Sequence, residues 1–272
     1  MNGVEVVERE RIQPDLHEAL PRAGVVIDGP DERVMMHEHA TNDRSGANPV
    51  FDSIRFHDGT REWDIPVVEV RGAGDGPALL VQGGLHAGEL VGSEVSLRLI
   101  EAVAGRIAKG RLIVAPFACP PGTYHRGNTR GSVQSKNQVW PGEADGNEKE
   151  RLYHALATEL LPRASHVVDL HCYPYVKAPA AFAPNDEPAS LELALAADVA
   201  VTKIQEPSQY DQPRRSPGEN DALPKITTTM HCRTLGKPAT LIEFPGHLLD
   251  ARNAELGLRA VRRILVALGM MT

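Results

Sequence analysis

Three side chains of this 272-residue chain have the types and spacing to hold a divalent ion: His86, Glu89 and His171. His86 and Glu89 lie three positions apart in Gly83-Gly84-Leu85-His86-Ala87-Gly88-Glu89, between a β-like run and the start of a helical stripe. An imidazole and a carboxylate at that spacing can converge on one ion. His171 follows the apolar run His166–Leu170, which reads as a strand. It therefore falls at a carboxyl edge of the sheet, where open α/β sheets place their ligands. Two histidine nitrogens and one carboxylate oxygen leave a fourth tetrahedral position for water, as a catalytic zinc site requires. A chain with 11 histidines offers chance H-x-x-E pairs on helix surfaces. Order sets this pair apart, because Asp169-Leu170-His171 and then Thr240-Leu241-Ile242-Glu243 follow on later strands.

The elements that must position these residues are legible as periodicities. Ser53–Phe56, Ile65–Val70 and Ala78–Val81 read as short strands, with turns at His57-Asp58-Gly59 and Gly72–Pro77, an antiparallel lead into a sheet. Val91, Val95, Leu99, Val103 and Ile107 recur every four residues and line one helix face, with Gly110 as the stop. Leu112–Ala115, His166–Leu170 and Ala239–Glu243 read as buried strands, and Leu152, Leu156 and Leu160 mark a helix, as does Leu191–Ala200. Leu258, Val261, Leu265 and Leu268 mark a last helix, with Asp250 as its N-cap. This alternation predicts an α/β fold: a mixed, mostly parallel sheet with helices on both faces. Residues 1–50 read as an irregular N-terminal extension, and 51–272 as a single catalytic domain. Two long connections, Pro116–Asn147 and Pro207–Pro224, are expected to be functional, since loops of that length in a compact domain seldom only connect.

Composition narrows the function. Hydrophobic residues at 42% and charged residues at 24% belong to an ordinary folded core and exclude wholesale disorder or a fibrous chain. Lys plus Arg at 29 against Asp plus Glu at 36 gives a net charge of −7, so no broad basic field awaits nucleic acid or an anionic membrane. No run approaches the roughly 18 apolar residues of a membrane helix. The N-terminal stretch carries Glu5, Glu8, Arg9, Glu10 and Arg11 where a signal peptide would be apolar, which leads to the expectation of a cytoplasmic protein. Cys119, Cys172 and Cys232 form no C-x-x-C pair and read as reduced thiols.

From about Arg55 to the end of the last helix, the chain resembles the succinylglutamate desuccinylase and aspartoacylase branch of the zinc carboxypeptidase-like hydrolases, on the ordered set just described. The resemblance implies one zinc per chain, held by His86, Glu89 and His171, with Glu243 as the general base. It implies that Arg126, after Pro120-Pro121-Gly122, stabilises the oxyanion, and that Arg233 meets a substrate carboxylate. The activity implied is removal of an acyl group from a small N-acyl amino acid or related amine. A metallocarboxypeptidase-like peptidase acting on short peptides, and an inactive metal- or ligand-binding homologue, are the alternatives. A homo-oligomer is left open.

The sequence also departs from the family pattern. Where the family carries D-x-N-R followed by an aromatic-Pro-Gly tail, this chain reads Ser135-Lys136-Asn137-Gln138-Val139-Trp140-Pro141-Gly142. Asn137 and the tail match. Gln138 hydrogen-bonds without charge, so a bidentate ionic clamp on a substrate carboxylate is lost. Ser135 stands where the family's aspartate orients a zinc histidine, which weakens support from behind the ligand unless a group such as Asp169 takes over. The chain is expected to lack the C-terminal β domain of the larger enzymes. The tyrosine which that domain supplies is then unassigned, with Tyr173, Tyr175 and Tyr210 as candidates by position.

Overall fold

The computed structural model describes residues 49–125, 139–204, 226–246 and 249–272. The chain divides into units 1–43 and 44–272, and everything described below belongs to the second. Strands β1 (Val50–His57) and β2 (Glu62–Arg71) form an antiparallel hairpin. Asp58 ties its turn: Oδ1 accepts from the backbone N–H groups of Thr60 and Arg61 and from the Thr60 hydroxyl, and Oδ2 accepts from Trp63 Nε1. Burial works against this charge, but the donors outweigh it and hold the Asp58 carboxyl down at about 2.

Next come β3 (Gly74–Gly83), α1 (Leu90–Val103), β4 (Lys109–Ala115), α2 (Pro120–His125) and α3 (Glu148–Ala155). A capping box starts α3, with the Asn147 side chain accepting from the amides of Lys149 and Glu150 while Glu150 reaches back to the Asn147 N–H. The chain then passes through a π turn at Leu156–Leu160 into β5 (His166–Tyr173), β6 (Ala180–Pro184), α4 (Pro188–Ala196) and β7 (Ala200–Ile204). Helix α5 (Thr228–Thr234), β8 (Ala239–Pro245) and α6 (Ala251–Ala267) complete it, with Asp250 capping α6 by accepting from Asn253 N–H as expected.

The eight strands lie in the order β1-β2-β4-β3-β5-β8-β6-β7. The pairs β3–β4, β3–β5, β5–β8 and β6–β7 are parallel, so the mixed, mostly parallel sheet with helices on both faces is what forms. One core joins α1, α4 and α6 to Leu79, Val81, Val168, Leu170 and Ile242. The other packs Trp140, Tyr153, Leu156 and Cys232 against Leu80, Ile113 and Val167. From β3 the chain crosses to β4 on one side and later returns to β5 on the other. The carboxyl ends of β3 and β5 are therefore the switch point, where such sheets bind ligands.

Some elements differ from the periodicity reading. The helix expected over Leu191–Ala200 ends at Ala196, because Asp198 takes a left-handed φ of 53° and Ala200 already begins β7. Ile107 continues the stripe of α1 into the core, yet the helix stops at Val103. The strand Ala-Ala-Phe-Ala-Pro of β6 lacks the β-branched residues that signal a strand, and the seven residues of α5 are too few to show a period. Among the described residues, no helix is long and apolar enough to cross a membrane.

Candidate metal centre

Backbone contact between α1 and the sheet sets the position of the first two residues. A Cβ added at Gly83, the last residue of β3, would lie 2.4 Å from the Gly92 carbonyl carbon, and one added at Gly92 would lie 2.4 Å from the Leu170 carbonyl oxygen. Only glycine at both places lets the first turn of α1 rest on the ends of β3 and β5. Glu89 then occupies the N-cap of α1, but its side chain makes no cap hydrogen bond. Its carboxylate turns inward instead.

There it meets both histidines. Glu89 Oε1 lies 3.2 Å from His86 Nδ1, and Oε2 lies 3.0 Å from His171 Nδ1. The backbone N–H of Cys172 also donates to Oε2, at 3.3 Å. The imidazole centroids are 4.7 Å apart, and one ligand atom from each of His86, Glu89 and His171 falls within 4.8 Å of the others. All three side chains are buried. Beside them, Glu243 on β8 is the register partner of His171 on β5. Side chains at paired positions of parallel strands leave the same face, with the strands roughly 4.8 Å apart. His171 and Glu243 thus stand side by side at the sheet's carboxyl edge.

The electrostatics suit a cation. Burial works to raise the pKa of Glu89, but the two histidines outweigh it and hold the carboxylate ionised. Burial pushes His86 down, keeping its ring neutral and its lone pair available. Burial would lower His171 too, yet Asp169 and Glu89 overcome it and raise that ring well above its ordinary value. Three buried donors facing one point, with one anionic and two imidazole groups, form a set that could hold a divalent metal, and they fit it chemically.

The other candidates are placed differently. Arg126, Asn137 and Gln138 lie outside the described residues, as do Ser135 and Tyr210. Arg233 is described, and the structure does not bring it to the three ligands. Its guanidinium forms a two-pronged ion pair with Asp186, Nε to Oδ1 at 3.1 Å and the second nitrogen to Oδ2. Asp186 lies past the end of β6, which runs antiparallel to β8 with Ala180 opposite Glu243, so the pair sits toward the far end of β8. Tyr173, the last residue of β5, and Tyr175 just past it stack edge to face at 5.3 Å, and both are exposed. Burial pushes the Cys119 and Cys232 thiols up to about 12 and Cys172 to about 11, as inert buried cysteines behave. Sequence reasoning missed Gln82 and Thr228, both fully buried against Asp169. Neither had a local signal, since the contact that gives them meaning joins residues 146 positions apart.

Residues 75–267 match the catalytic domain of the succinylglutamate desuccinylase/aspartoacylase family. The chain belongs to this family. Over 108 residues it is 31% identical to the N-alpha-acetyl-L-2,4-diaminobutyric acid deacetylase of Halomonas elongata, a match over 39% of this chain and 31% of that protein. The aligned stretch thus spans about a third of that relative's length. The fold superposes with a TM-score of 0.64 on the crystal structure of an aspartoacylase family protein from Mesorhizobium loti, at 24% identity over 85% of this chain and 70% of that one. It also superposes on a metallo-carboxypeptidase from Burkholderia cenocepacia with a TM-score of 0.58, at 14% identity over 82% and 65% of the two chains. This chain therefore shares its mixed sheet with that metallo-carboxypeptidase, the fold that the resemblance implied.

Proposed function

We propose that this protein is a zinc-dependent amidohydrolase that removes the acyl group from a small N-acyl amino acid or related amine. The observation that carries the reading is the convergence of His86, Glu89 and His171 on one point with Glu243 beside them on the neighbouring strand. A zinc ion held by those three residues would lower the pKa of a bound water to about 7 and polarise the scissile carbonyl. Glu243 takes the proton of the attacking water and returns it to the amine nitrogen as the C–N bond breaks. A place near the end of β8 suits that task, because it puts the carboxylate beside His171 at the carboxyl edge of the sheet.

Arg126 neutralises the developing oxyanion, a role for a guanidinium that keeps its charge at any working pH. Asn137 and Gln138 hydrogen-bond the substrate, and the uncharged Gln138 favours substrates that present no carboxylate there. Residues 51–272 make up the catalytic domain of a cytoplasmic enzyme. Kinship with a diaminobutyrate deacetylase supports a small amide as substrate.

Matched panels of N-acyl amino acids and short peptides, assayed on zinc-loaded protein by amine release, test the reading. Cleavage of the N-acyl panel supports it. Cleavage of peptides alone replaces it with a peptidase, and a zinc-loaded protein that cleaves neither panel points to a binding homologue.

A further inference from the structure

The residues behind His171 form a buried polar chain across three elements. Gln82 on β3, Asp169 on β5 and Thr228 at the start of α5 are each fully buried. Gln82 and Asp169 are register partners across the β3–β5 pair. The Thr228 hydroxyl donates to Asp169 Oδ2 at 2.5 Å, and Gln82 Nε2 donates to Thr228 Oγ1 at 3.4 Å. Asp169 and His171 are two residues apart on one strand, so both leave the same face. The same Oδ2 lies 2.9 Å from His171 Nε2. That contact is short but oblique, with the oxygen off the N–H axis, and acts as an ion pair more than as a linear hydrogen bond.

A carboxylate with no exposure stays charged only where neighbours compensate it. Here the compensation comes from a hydroxyl on one side and an imidazole on the other. Asp169 Oδ2 faces Nε2 on one edge of the His171 ring and Glu89 Oε2 faces Nδ1 on the other, so the ring is held from both edges. Neither histidine's Nε2 has a hydrogen-bond partner among the described residues, but that of His171 has the Asp169 carboxylate at ion-pair distance. The two histidines are supported unequally.

We propose that Asp169, locked in place by Thr228 and Gln82, is the positioning carboxylate of the metal centre and acts through His171. Resting on the zinc reading above, the inference makes the first turn of α5 a strut of the site, although α5 contributes no ligand. Ser135 stands where the family's aspartate orients a zinc histidine, and the Asp169 chain supplies orientation from the β5 side.

The test is zinc affinity, measured by competition with a chromophoric chelator on the wild type, Asp169→Asn, Thr228→Val and Thr228→Ser, with thermal unfolding followed in parallel. Loss of such support costs about 10–100-fold in metal affinity. Asp169→Asn is expected to weaken zinc by that factor, Thr228→Val by less, and Thr228→Ser to restore the wild-type value by keeping the hydroxyl. Should Asp169→Asn fail to fold, the two Thr228 variants decide. Wild-type affinity in Asp169→Asn, or equal affinity in the valine and serine variants, overturns the inference and leaves the zinc reading standing. A wild-type chain that takes up no zinc overturns both.

Discussion

Glu243 and His171 are register partners across the parallel β5–β8 pair, so a carboxylate and an imidazole stand side by side at the carboxyl edge of the sheet. Proton transfer by a positioned side chain typically contributes about 10²–10⁴-fold to rate. Glu243→Gln keeps the shape and removes the base. Turnover should therefore fall by at least that range while zinc content stays at the wild-type level, as steady-state kinetics and elemental analysis on the same preparation would read. Retained turnover would remove Glu243 from the proton-transfer role.

His86→Ala and His171→Ala should each lose the ion. Both rings face the Glu89 carboxylate through Nδ1 and both are buried, so neither can be replaced by a surface group. Elemental analysis of protein purified without affinity-tag histidines should give near one zinc per wild-type chain and almost none in either variant. Full zinc in His171→Ala would mean that the ion sits elsewhere.

Gly92→Ala should destabilise the protein without touching a ligand. The new methyl would fall 2.4 Å from the Leu170 carbonyl oxygen and 2.9 Å from the Leu170 Cβ, and backbone cannot yield as a flexible side chain would. Overpacking of this kind costs about 1–3 kcal/mol. Because α1 must lift, Glu89 moves with it, and zinc affinity should fall alongside the urea midpoint. An alanine variant as stable as wild type would show that the close approach is dispensable.

Asp58 gives a pH dependence whose sign follows from its hydrogen bonds. Its folded pKa of about 2 lies below the ordinary 3.8. The stabilisation is therefore complete above about pH 3.8 and is lost as pH falls toward 2. Asp58→Asn should cost about 1.5–3 kcal/mol near neutrality, the range for hydrogen bonds to a charged group. The gap between the variant and wild type should narrow as urea unfolding is repeated at falling pH. A gap that stays constant would show that the charge of Asp58 contributes nothing.

The residues legible in advance are those whose signal is local or ordered along the chain. His86 and Glu89 announce themselves through spacing inside a glycine-rich junction, and His171 and Glu243 through their places at the ends of apolar runs. Long periodic elements such as α6 were legible for the same reason. Thr228 and Gln82 were not, because their meaning comes from a contact across 146 positions that no local pattern records. Arg233 shows the converse, as the family resemblance implied a substrate carboxylate for it while the fold brings Asp186 to it from 47 positions away. Helix α5 and strands β6 and β7 are short, and their conformation is fixed by the sheet around them.

The contact between Glu89 and His171 closes a span of 82 residues. His86 and Glu89 belong to the part of the chain that builds β1 to β4, whose pairings include the local β1–β2 hairpin, while His171 arrives only with β5. Closing long spans is slow, since chain entropy is lost before the distant contacts form. A chain released with only its first four strands paired would carry two of the three ligands and no centre. Zinc uptake is thus expected to trail the hairpin signal in a refolding experiment and to keep time with the zipping of β5 onto β3, which makes the ion a clock for the middle of the sheet.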